Sequence, residues 1–512
     1  MDCKKRIQNI LDQLFPICEA WIQDKDGQLY FVDPLDGEEI SAHYGTTHMA
    51  VAMILYGKKI QIDEMFAKGV KLLESILNRW ELSKHLQAYH FDFNNFALCV
   101  IEDIIRKEDP KLAERIRQTV LCTADSNHNT TNWLPMRWYV NKKRFKWSND
   151  KKYLKICNSC KTQIEKATNA DGGIEDRMPK GMSFNLQYDV ATVGVLQFLC
   201  IKGEELDLSN ELAFLLNAVA PDGDINYQGR GTNQIFAWGL WIYLLASSSK
   251  IEHLCTALDY LETKVFGMFQ RNNLMLNEWN GAEKHLWWDY HYCSVYSAHF
   301  LFWLVLSLSD FGKKEIVETK YNNINDTGLQ VYRTDDSFVS VFSGREEYLS
   351  EKGPMINAIW TKKYGLITKV SFGPWQGEFG KRYSNVFVLG NYFGLYDVFS
   401  LLDIVHFKII HKLFHYLGIN SGYKCRPSFS PLNYYREANK LVFIYNHRRR
   451  CRAFLNIPVV ETVLGLLELD LFVDNSKIDM YEIGKFRNQF GWYYVFQSKM
   501  VFGQNWRLEI KM

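Results

Sequence analysis

The stretch Val190–Leu199, VATVGVLQFL, repeats apolar residues at the three- and four-residue spacing of an α-helix. The breaks around such segments are rich in His, Asn, Asp and Arg, where a plain helical bundle needs only short turns. Repeated helix pairs with decorated connections predict an N-terminal (α/α) toroid over residues 1–320. The same spacing recurs in Met65–Trp80, Phe93–Ile105, Ile235–Leu245 and Cys255–Phe266.

The composition changes after Tyr321, where short segments rich in β-branched and aromatic residues begin. We predict a C-terminal antiparallel β-sandwich over residues 321–512, with the boundary in the polar stretch Val317–Asp326. One helix, Leu401–Leu417, is predicted between the strands. The predicted strands are Gly328–Tyr332, Phe338–Phe342, Gly365–Val370, Val386–Leu389, Lys440–Tyr445, Trp492–Gln497 and Trp506–Ile510.

Composition limits the class of protein. Of 512 residues, 47% are hydrophobic and 23% are charged, which excludes a disordered or collagen-like chain. The formal net charge of +2 argues against a dedicated nucleic-acid binder, which needs many unbalanced Lys and Arg side chains. Aromatic residues make up 15% of the chain, and aromatic faces stack on the C–H faces of sugar rings. This content fits either a sugar-binding cleft or a heavily aromatic core.

No signal for export or for a membrane span stands out in the sequence. Residues 1–18 carry charges but no continuous apolar segment and no cleavage site. The most apolar stretch, Val295–Leu308, is too short to cross a bilayer. Eleven scattered Cys, with Cys157 and Cys160 as a CxxC pair, favour reduced thiols. We expect a cytoplasmic protein, and export by a route that leaves no recognisable signal stays open.

The first motif is Asn132-Trp133, followed one turn later by Arg137. It places an amide beside an aromatic ring at a predicted helix start, where the amide can hold a sugar carboxylate by hydrogen bonds. The alternative is that Asn132 only caps the helix.

The second motif follows a glycine turn and offers Asn185, Gln187 and Tyr188 at the start of the next helix. A structural helix start does not need polar groups at this density. Tyr188 can act as an acid or a base if neighbouring cations lower its pKa. The alternative is a buried tyrosine whose hydroxyl is satisfied within the protein.

The third motif is a polar loop in which Arg230 stands between two glycines and precedes Asn233 and Gln234. The permissive backbone would let the guanidinium reach a carboxylate with two hydrogen bonds. The alternative is a structural ion pair with Asp222 or Asp224.

The fourth motif lies ahead of the most apolar helix and contains Trp288, Tyr290, His291, Tyr292 and Tyr296. Imidazole titrates near neutral pH, so His291 is a candidate base that the tyrosines would orient. A structural histidine among aromatic residues is the alternative.

Together, Asn132-Trp133, Asp171-Gly172 and Tyr188 resemble in order and spacing the heparinase-like and alginate-lyase-like polysaccharide lyases. Those enzymes combine an (α/α) toroid with an antiparallel β-sandwich. The resemblance implies β-elimination on an anionic polysaccharide or oligosaccharide that contains uronic acid.

The likeness extends to Gly328–Arg333, which resembles the opening strands of that family's β domain. One departure is that Gly344–Ile359 contains no His, where family members commonly carry one. The missing His keeps a catalytically silent reading open, in which the protein binds glycans or takes part in capsule assembly.

An elimination of this kind gives several candidate residues a role, and the role of Arg230 rests on its chemistry and not on the resemblance. Asn132, with Arg230 or Gln187, would hold the carboxylate and stabilise the enolate. Tyr188 would protonate the leaving oxygen, and His291 or the Tyr188 phenolate would take the C5 proton. Trp133 and Trp288 would stack on sugar rings.

A glycoside hydrolase of the (α/α) class is the main alternative enzyme. It would use paired carboxylates, Asp222 or Asp224 with Glu278 or Asp289. The sequence has no P-loop, GxSxG, HExxH or strand-linked GxGxxG motif, so we expect no cofactor and no metal site.

Overall fold

A computed structural model gives the structure of the protein. It describes residues 2–34, 37–82, 90–126, 130–176, 184–228, 235–265, 293–321, 326–343, 355–369, 433–437, 439–488, 491–499 and 501–512.

The described residues up to Asp310 are mainly helical, and all five helices that the spacing predicts are confirmed. The helices are α1 Cys3–Glu19, α2 Gly45–Ile60, α3 Asp63–Leu82, α4 Phe91–Glu108, α5 Pro110–Cys122, α6 Leu134–Ser148, α7 Lys152–Ala167, α8 Leu186–Ile201, α9 Ser209–Ala218, α10 Phe236–Ser247, α11 Ile251–Tyr260 and α12 Cys293–Asp310.

These helices form two concentric rings. The even-numbered helices contact one another in the order α2, α4, α6, α8, α10 and α12, and α12 closes the ring against α2. Each odd-numbered helix packs outside an inner one, and α1 covers α12. Since an outer helix separates successive inner helices, the inner helices run parallel. Their N-terminal ends therefore meet at one end of the toroid, which we call the mouth.

The sequences of α10 and α12 match their place in the inner ring. Every residue of α10 is buried, and α12 is buried along nearly its whole length, as expected for helices that are apolar all round. Outer helices such as α1 bury one face only. Two glycines let inner helices approach closely, because a Cβ at Gly239 would lie 3.1 Å from Phe300 Cα and one at Gly45 would lie 3.0 Å from Val295 Cα.

A hairpin that the sequence analysis does not predict joins α1 to α2. Strands β1 Ile22–Lys25 and β2 Gln28–Phe31 pair antiparallel around Asp26 and Gly27, which both have positive φ. A two-residue Asp-Gly turn of this kind is a strong hairpin signal. Beyond the hairpin, the buried Asp33 carboxylate accepts hydrogen bonds from the Ser294 backbone N–H at 2.8 Å and hydroxyl at 2.9 Å, so it fastens the start of α12.

After residue 326 the described chain consists mainly of strands in antiparallel sheets. The sheet orders are β3-β4-β5-β6, β12-β13-β9 and β11-β10-β14-β8-β7. The strands are β3 Leu329–Arg333, β4 Ser337–Phe342, β5 Met355–Thr361, β6 Gly365–Lys369, β7 Asn433–Glu437, β8 Lys440–Ala453, β9 Asn456–Val460, β10 Glu468–Val473, β11 Ser476–Ile478, β12 Met480–Asn488, β13 Gly491–Ser498 and β14 Val501–Lys511.

The sheet that contains β4 packs on the helices with one face. Phe338 and Phe342 belong to the core of the toroid, whereas Val339 and Val341 belong to a second core shared by all three sheets. The predicted strand Val386–Leu389 and the predicted helix at 401–417 lie outside the described residues. The sandwich arrangement and the division at residues 320 and 321 stay predictions.

Candidate functional site

The mouth of the toroid gathers aromatic, imidazole and amide side chains from all six inner helices or the residues that lead into them. The N-termini of the six inner helices, which carry partial positive charge, lie at this end of the toroid. These side chains include His43, Tyr44, His48, His90, Phe93, Thr131, Asn132, Trp133, Asn185, Gln187, Tyr188, Phe236, Tyr296 and His299.

Aromatic rings form one continuous cluster across the mouth. Phe93 stacks on Tyr44 with ring centroids 4.3 Å apart and meets Trp133 edge-on at 5.7 Å. From Phe93 the cluster continues to His299 at 5.9 Å and on to Phe236, which stacks on His299 at 4.7 Å. These contacts connect α4 and the start of α6 with α10 and α12.

Two predicted tyrosines complete the cluster on its far side. Tyr188 and Tyr296 each meet Phe236 edge-on at 6.2 Å. Tyr188 is 8% exposed and lies in the first turn of α8. The motifs around Trp133 and Tyr188, predicted from separate parts of the sequence, therefore border the same cluster.

A buried imidazole pair lies beneath the rings. His48 Nε2 is 3.3 Å from the Phe93 carbonyl oxygen, which only accepts, so Nε2 carries the hydrogen and Nδ1 is the acceptor. His299 Nδ1, 3.2 Å from His48 Nδ1, must then donate. This assignment leaves His299 Nε2 with a lone pair, and that atom has no hydrogen-bond partner among the described residues.

The imidazole pair is neutral at pH 7. Burial lowers the pKa of His48 to about 3, and burial followed by the neighbouring His48 lowers the pKa of His299 well below its usual range. A base works best with a pKa near the working pH, so this pair positions the site and does not take a proton at neutral pH.

A second imidazole pair lies nearer the surface. His43 stacks on His90 with centroids 4.1 Å apart, and His90 lies 5.3 Å from Trp133. The His90 Nδ1–H donates to the Ala42 carbonyl oxygen at 3.2 Å. The sequence analysis misses His90 and His299, and the signal for His299 is an imidazole within an otherwise apolar inner helix.

Several amide and hydroxyl atoms at the mouth are buried without partners in the described part of the chain. Both amide atoms of Gln187, which is 1% exposed, have none, nor do Asn132 Oδ1 and Thr131 Oγ1. Leaving such a group unsatisfied costs about 1–3 kcal/mol, so these atoms indicate a place for ligand or water.

Asn185 acts as the N-cap of α8. Its Oδ1 accepts hydrogen bonds from the backbone N–H groups of Gln187 at 3.1 Å and Tyr188 at 3.3 Å. Only its Nδ2, which has no partner among the described residues, is available to a ligand. The cap fixes the direction of the first turn and so positions both neighbours.

Arg137 is engaged by another side chain. Its Nε donates to Asp92 Oδ1 at 3.0 Å and its Nη2 to Asp92 Oδ2 at 3.2 Å. This two-pronged ion pair between α4 and α6 engages the Nε and Nη2 edge of the guanidinium. Binding of substrate by Arg137 stays a prediction.

Of the carboxylates that the hydrolase alternative pairs, the structure describes Asp222 and Asp224, so the pairing itself stays a prediction. Asp224 Oδ2 accepts from Lys369 Nζ of β6 at 2.5 Å, so it lies where the toroid meets the first sheet. Asp222 is close by, and burial followed by the charge of Asp224 raises its pKa to about 6. Glu278 and Asp289 lie outside the described residues.

The remaining predicted site residues lie outside the described residues. They are Arg230, Asn233, Gln234, Trp288, Tyr290, His291 and Tyr292. Among the residues that are described, no three His, Cys, Asp or Glu side chains are arranged to hold a metal ion. Within that same part of the chain, no helix combines the length and hydropathy of a membrane span.

Comparisons with known proteins give low-similarity structural neighbours. The chain matches no protein-family model and no curated protein. A polysaccharide lyase has a TM-score of 0.40 at 10% identity, covering 60% of this chain and 98% of its own. An α-1,6-mannanase from Salegentibacter sp. HEL1_6 has the same TM-score and identity, with 60% and 99% covered.

An unsaturated glucuronyl hydrolase from Streptococcus agalactiae has a TM-score of 0.41 at 11% identity, covering 61% of this chain and 93% of its own. The neighbours thus include a lyase and hydrolases, and they do not choose between the two reactions. The choice depends on the residues of the site.

Proposed function

We propose that the protein binds a uronic-acid-containing glycan at the mouth of the toroid and cleaves it by β-elimination, as a polysaccharide lyase. The observation that carries the proposal is a set of buried amide and hydroxyl atoms beside the aromatic cluster that have no partner within the described part of the chain. Sugars need both kinds of surface, because their C–H faces stack on rings while their hydroxyl and carboxylate groups exchange hydrogen bonds.

The first task of the site is to bind the sugar carboxylate. Asn132 and Gln187 supply amide groups at the starts of α6 and α8, and the helix N-termini add partial positive charge. As the C5 proton leaves, negative charge develops on this carboxylate. A fixed donor such as Gln187 Nε2 lowers the barrier most at that stage.

Elimination then breaks the C5–H bond and the bond from C4 to O4 and forms a C4–C5 double bond. Tyr188 donates its proton to the departing O4. The C5 proton goes to the Tyr188 phenolate or to His291. The lowered pKa values of His48 and His299 keep both imidazoles neutral, so they do not accept the C5 proton. Their role is to hold the neighbouring rings in place.

A glycoside hydrolase is the second candidate, favoured by acidic residues beside α8. Burial raises the pKa of Asp189 well above its usual range, with Glu175 among the like charges that add to the shift. A carboxylic acid kept protonated can act as the general acid of a hydrolase, provided that a second carboxylate is near. This reaction adds water and leaves no double bond.

Ultraviolet absorbance separates the two reactions. The purified full chain is incubated with a panel of uronate-containing polysaccharides and oligosaccharides, and absorbance of the conjugated double bond is followed beside an assay for reducing ends. Absorbance that rises together with reducing ends supports the lyase. Reducing ends without absorbance support the hydrolase, and the absence of cleavage with tight binding supports a silent glycan-binding protein. No cleavage and no binding across the panel contradicts the proposal.

Replacing Gln187 by Leu tests the mouth as a binding site. The variant removes two buried polar atoms that have no partner among the described residues, so its melting temperature should equal or exceed that of the unmodified protein. Glycan affinity, measured by calorimetry, should fall about tenfold because the sugar loses its amide partner.

Gln197→Leu is the matched control on the same helix. Gln197 lies towards the C-terminal end of α8, where its Nε2 donates to the Lys314 carbonyl oxygen at 2.7 Å. This variant should lower the melting temperature and leave glycan affinity unchanged. Loss of stability without loss of affinity in Gln187→Leu would show that Gln187 is a structural residue.

A further inference from the structure

Two cysteines far apart in the sequence meet where the toroid closes. Cys3 Sγ lies 2.8 Å from Cys255 Sγ, although 252 residues separate them. Cys3 begins α1 and is 4% exposed, whereas Cys255 lies within α11 and is partly exposed. Two sulfur atoms without a bond between them rest farther apart than this, and a disulfide would bring them to about 2.05 Å.

An ion-pair network beside the two thiols holds the helices in register. Arg6, one turn after Cys3, donates from Nη2 to Asp259 at 2.6 Å and from Nε and Nη2 to the two carboxylate oxygens of Glu262 at 3.0 and 2.8 Å. The same guanidinium reaches the Cys255 carbonyl oxygen at 3.5 Å. These contacts, all made by Arg6, fix the approach of α1 to α11 beside the two thiols.

We propose that Cys3 and Cys255 form a disulfide that covalently joins α1 to α11, the first and the last outer helix among the described residues. The bond would add a covalent link between α1 and α11, which otherwise meet through non-covalent contacts. Because it spans so long a segment of chain, it restricts the unfolded state strongly and stabilises the folded one.

The bond forms by thiol–disulfide exchange with a small disulfide such as oxidised glutathione. Cys255 is the more exposed thiol, and burial followed by the Cys255 contact raises the pKa of Cys3 to about 12, so Cys255 attacks first. This step gives a mixed disulfide at Cys255 and releases one glutathione. The Cys3 sulfur then attacks Cys255 Sγ and releases the second glutathione, and the two protein thiol protons end on the two glutathione molecules.

Mass spectrometry under non-reducing conditions tests the proposal on the full chain. After incubation with oxidised glutathione and alkylation of the remaining thiols, the peptide with Cys3 should be linked to the peptide with Cys255. The melting temperature of the oxidised protein should exceed that of the reduced protein by about 4–8 °C. In Cys255→Ser both the link and the temperature difference should vanish.

Cys122→Ser, which removes an exposed thiol on α5, is the control and should keep both effects. Reaction of the exposed Cys122 with glutathione shows that the oxidant has acted on the sample. If Cys3 and Cys255 are both alkylated in such a sample, the proposal is overturned. A mixed disulfide that stays on Cys255 and never passes to Cys3 would also overturn it. Neither readout depends on the glycan or on catalysis, so this test and that of the proposed function fail independently.

Discussion

Tyr188→Phe is expected to reduce elimination about a thousandfold while glycan affinity stays within a factor of three, because the change removes a single acid–base oxygen. The ring itself keeps its edge contact with Phe236, and Asn185 still caps the helix that carries it. The loss should therefore fall on turnover and not on binding. Initial rates from ultraviolet absorbance and calorimetric titration with an oligosaccharide measure the two quantities.

Tyr153→Phe is the control for that prediction. Tyr153 is also 8% exposed, but it lies on the outer helix α7, away from the mouth. Its variant should retain full turnover, and both variants should melt near the temperature of the unmodified protein. Turnover that survives in Tyr188→Phe would transfer the acid–base role to another residue and remove the central step of the proposed mechanism.

The helical half of the fold could be predicted from the sequence because its rings have different surfaces. Segments such as Val190–Leu199 are apolar on all sides, and the loops between helices are more polar than turns require. The hairpin at Asp26-Gly27 was missed although its turn residues are a local signal. Its two strands have four residues each, too few to show a periodic apolar pattern.

The site was predictable only where its residues stand at helix starts. Trp133 and Tyr188 could be predicted as candidates because each belongs to a polar motif at a helix start, and the ring closure places both at the mouth. His48 and His299 form a pair although 251 residues separate them, and no local sequence pattern predicts a contact at that separation. The contact between Cys3 and Cys255 cannot be predicted from local sequence either, because a tertiary contact between distant helices brings the two thiols together.

A buried ion pair joins the toroid to the first sheet and had no sequence signal either. Lys369 of β6 is fully buried, and its Nζ donates to Asp224 Oδ2 at 2.5 Å. Burial lowers the pKa of Lys369, while the Asp224 carboxylate opposes that shift. Asp224 also accepts from the Asn226 backbone N–H at 2.8 Å, so the pair organises the loop on the toroid side.

Lys369→Met is expected to lower the free energy of unfolding by about 3–5 kcal/mol, because it leaves the buried Asp224 carboxylate without its cation. Chemical denaturation followed by tryptophan fluorescence measures the change. Lys362→Met, at an exposed position in the turn before β6, is the control and should stay within about 0.5 kcal/mol of the unmodified protein.

The double variant Asp224→Asn with Lys369→Met shows whether charge or packing causes the loss of stability in Lys369→Met. If the cost is that of an uncompensated buried charge, neutralising Asp224 as well should recover a large part of the lost free energy, since the desolvation penalty of the second ion is also removed. If the double variant is as unstable as the sum of the two single variants, the aliphatic stem of Lys369 contributes through packing against the toroid. Recovery would mean that the contact between toroid and sheet tolerates an apolar interface and depends on its ion pair only for charge balance.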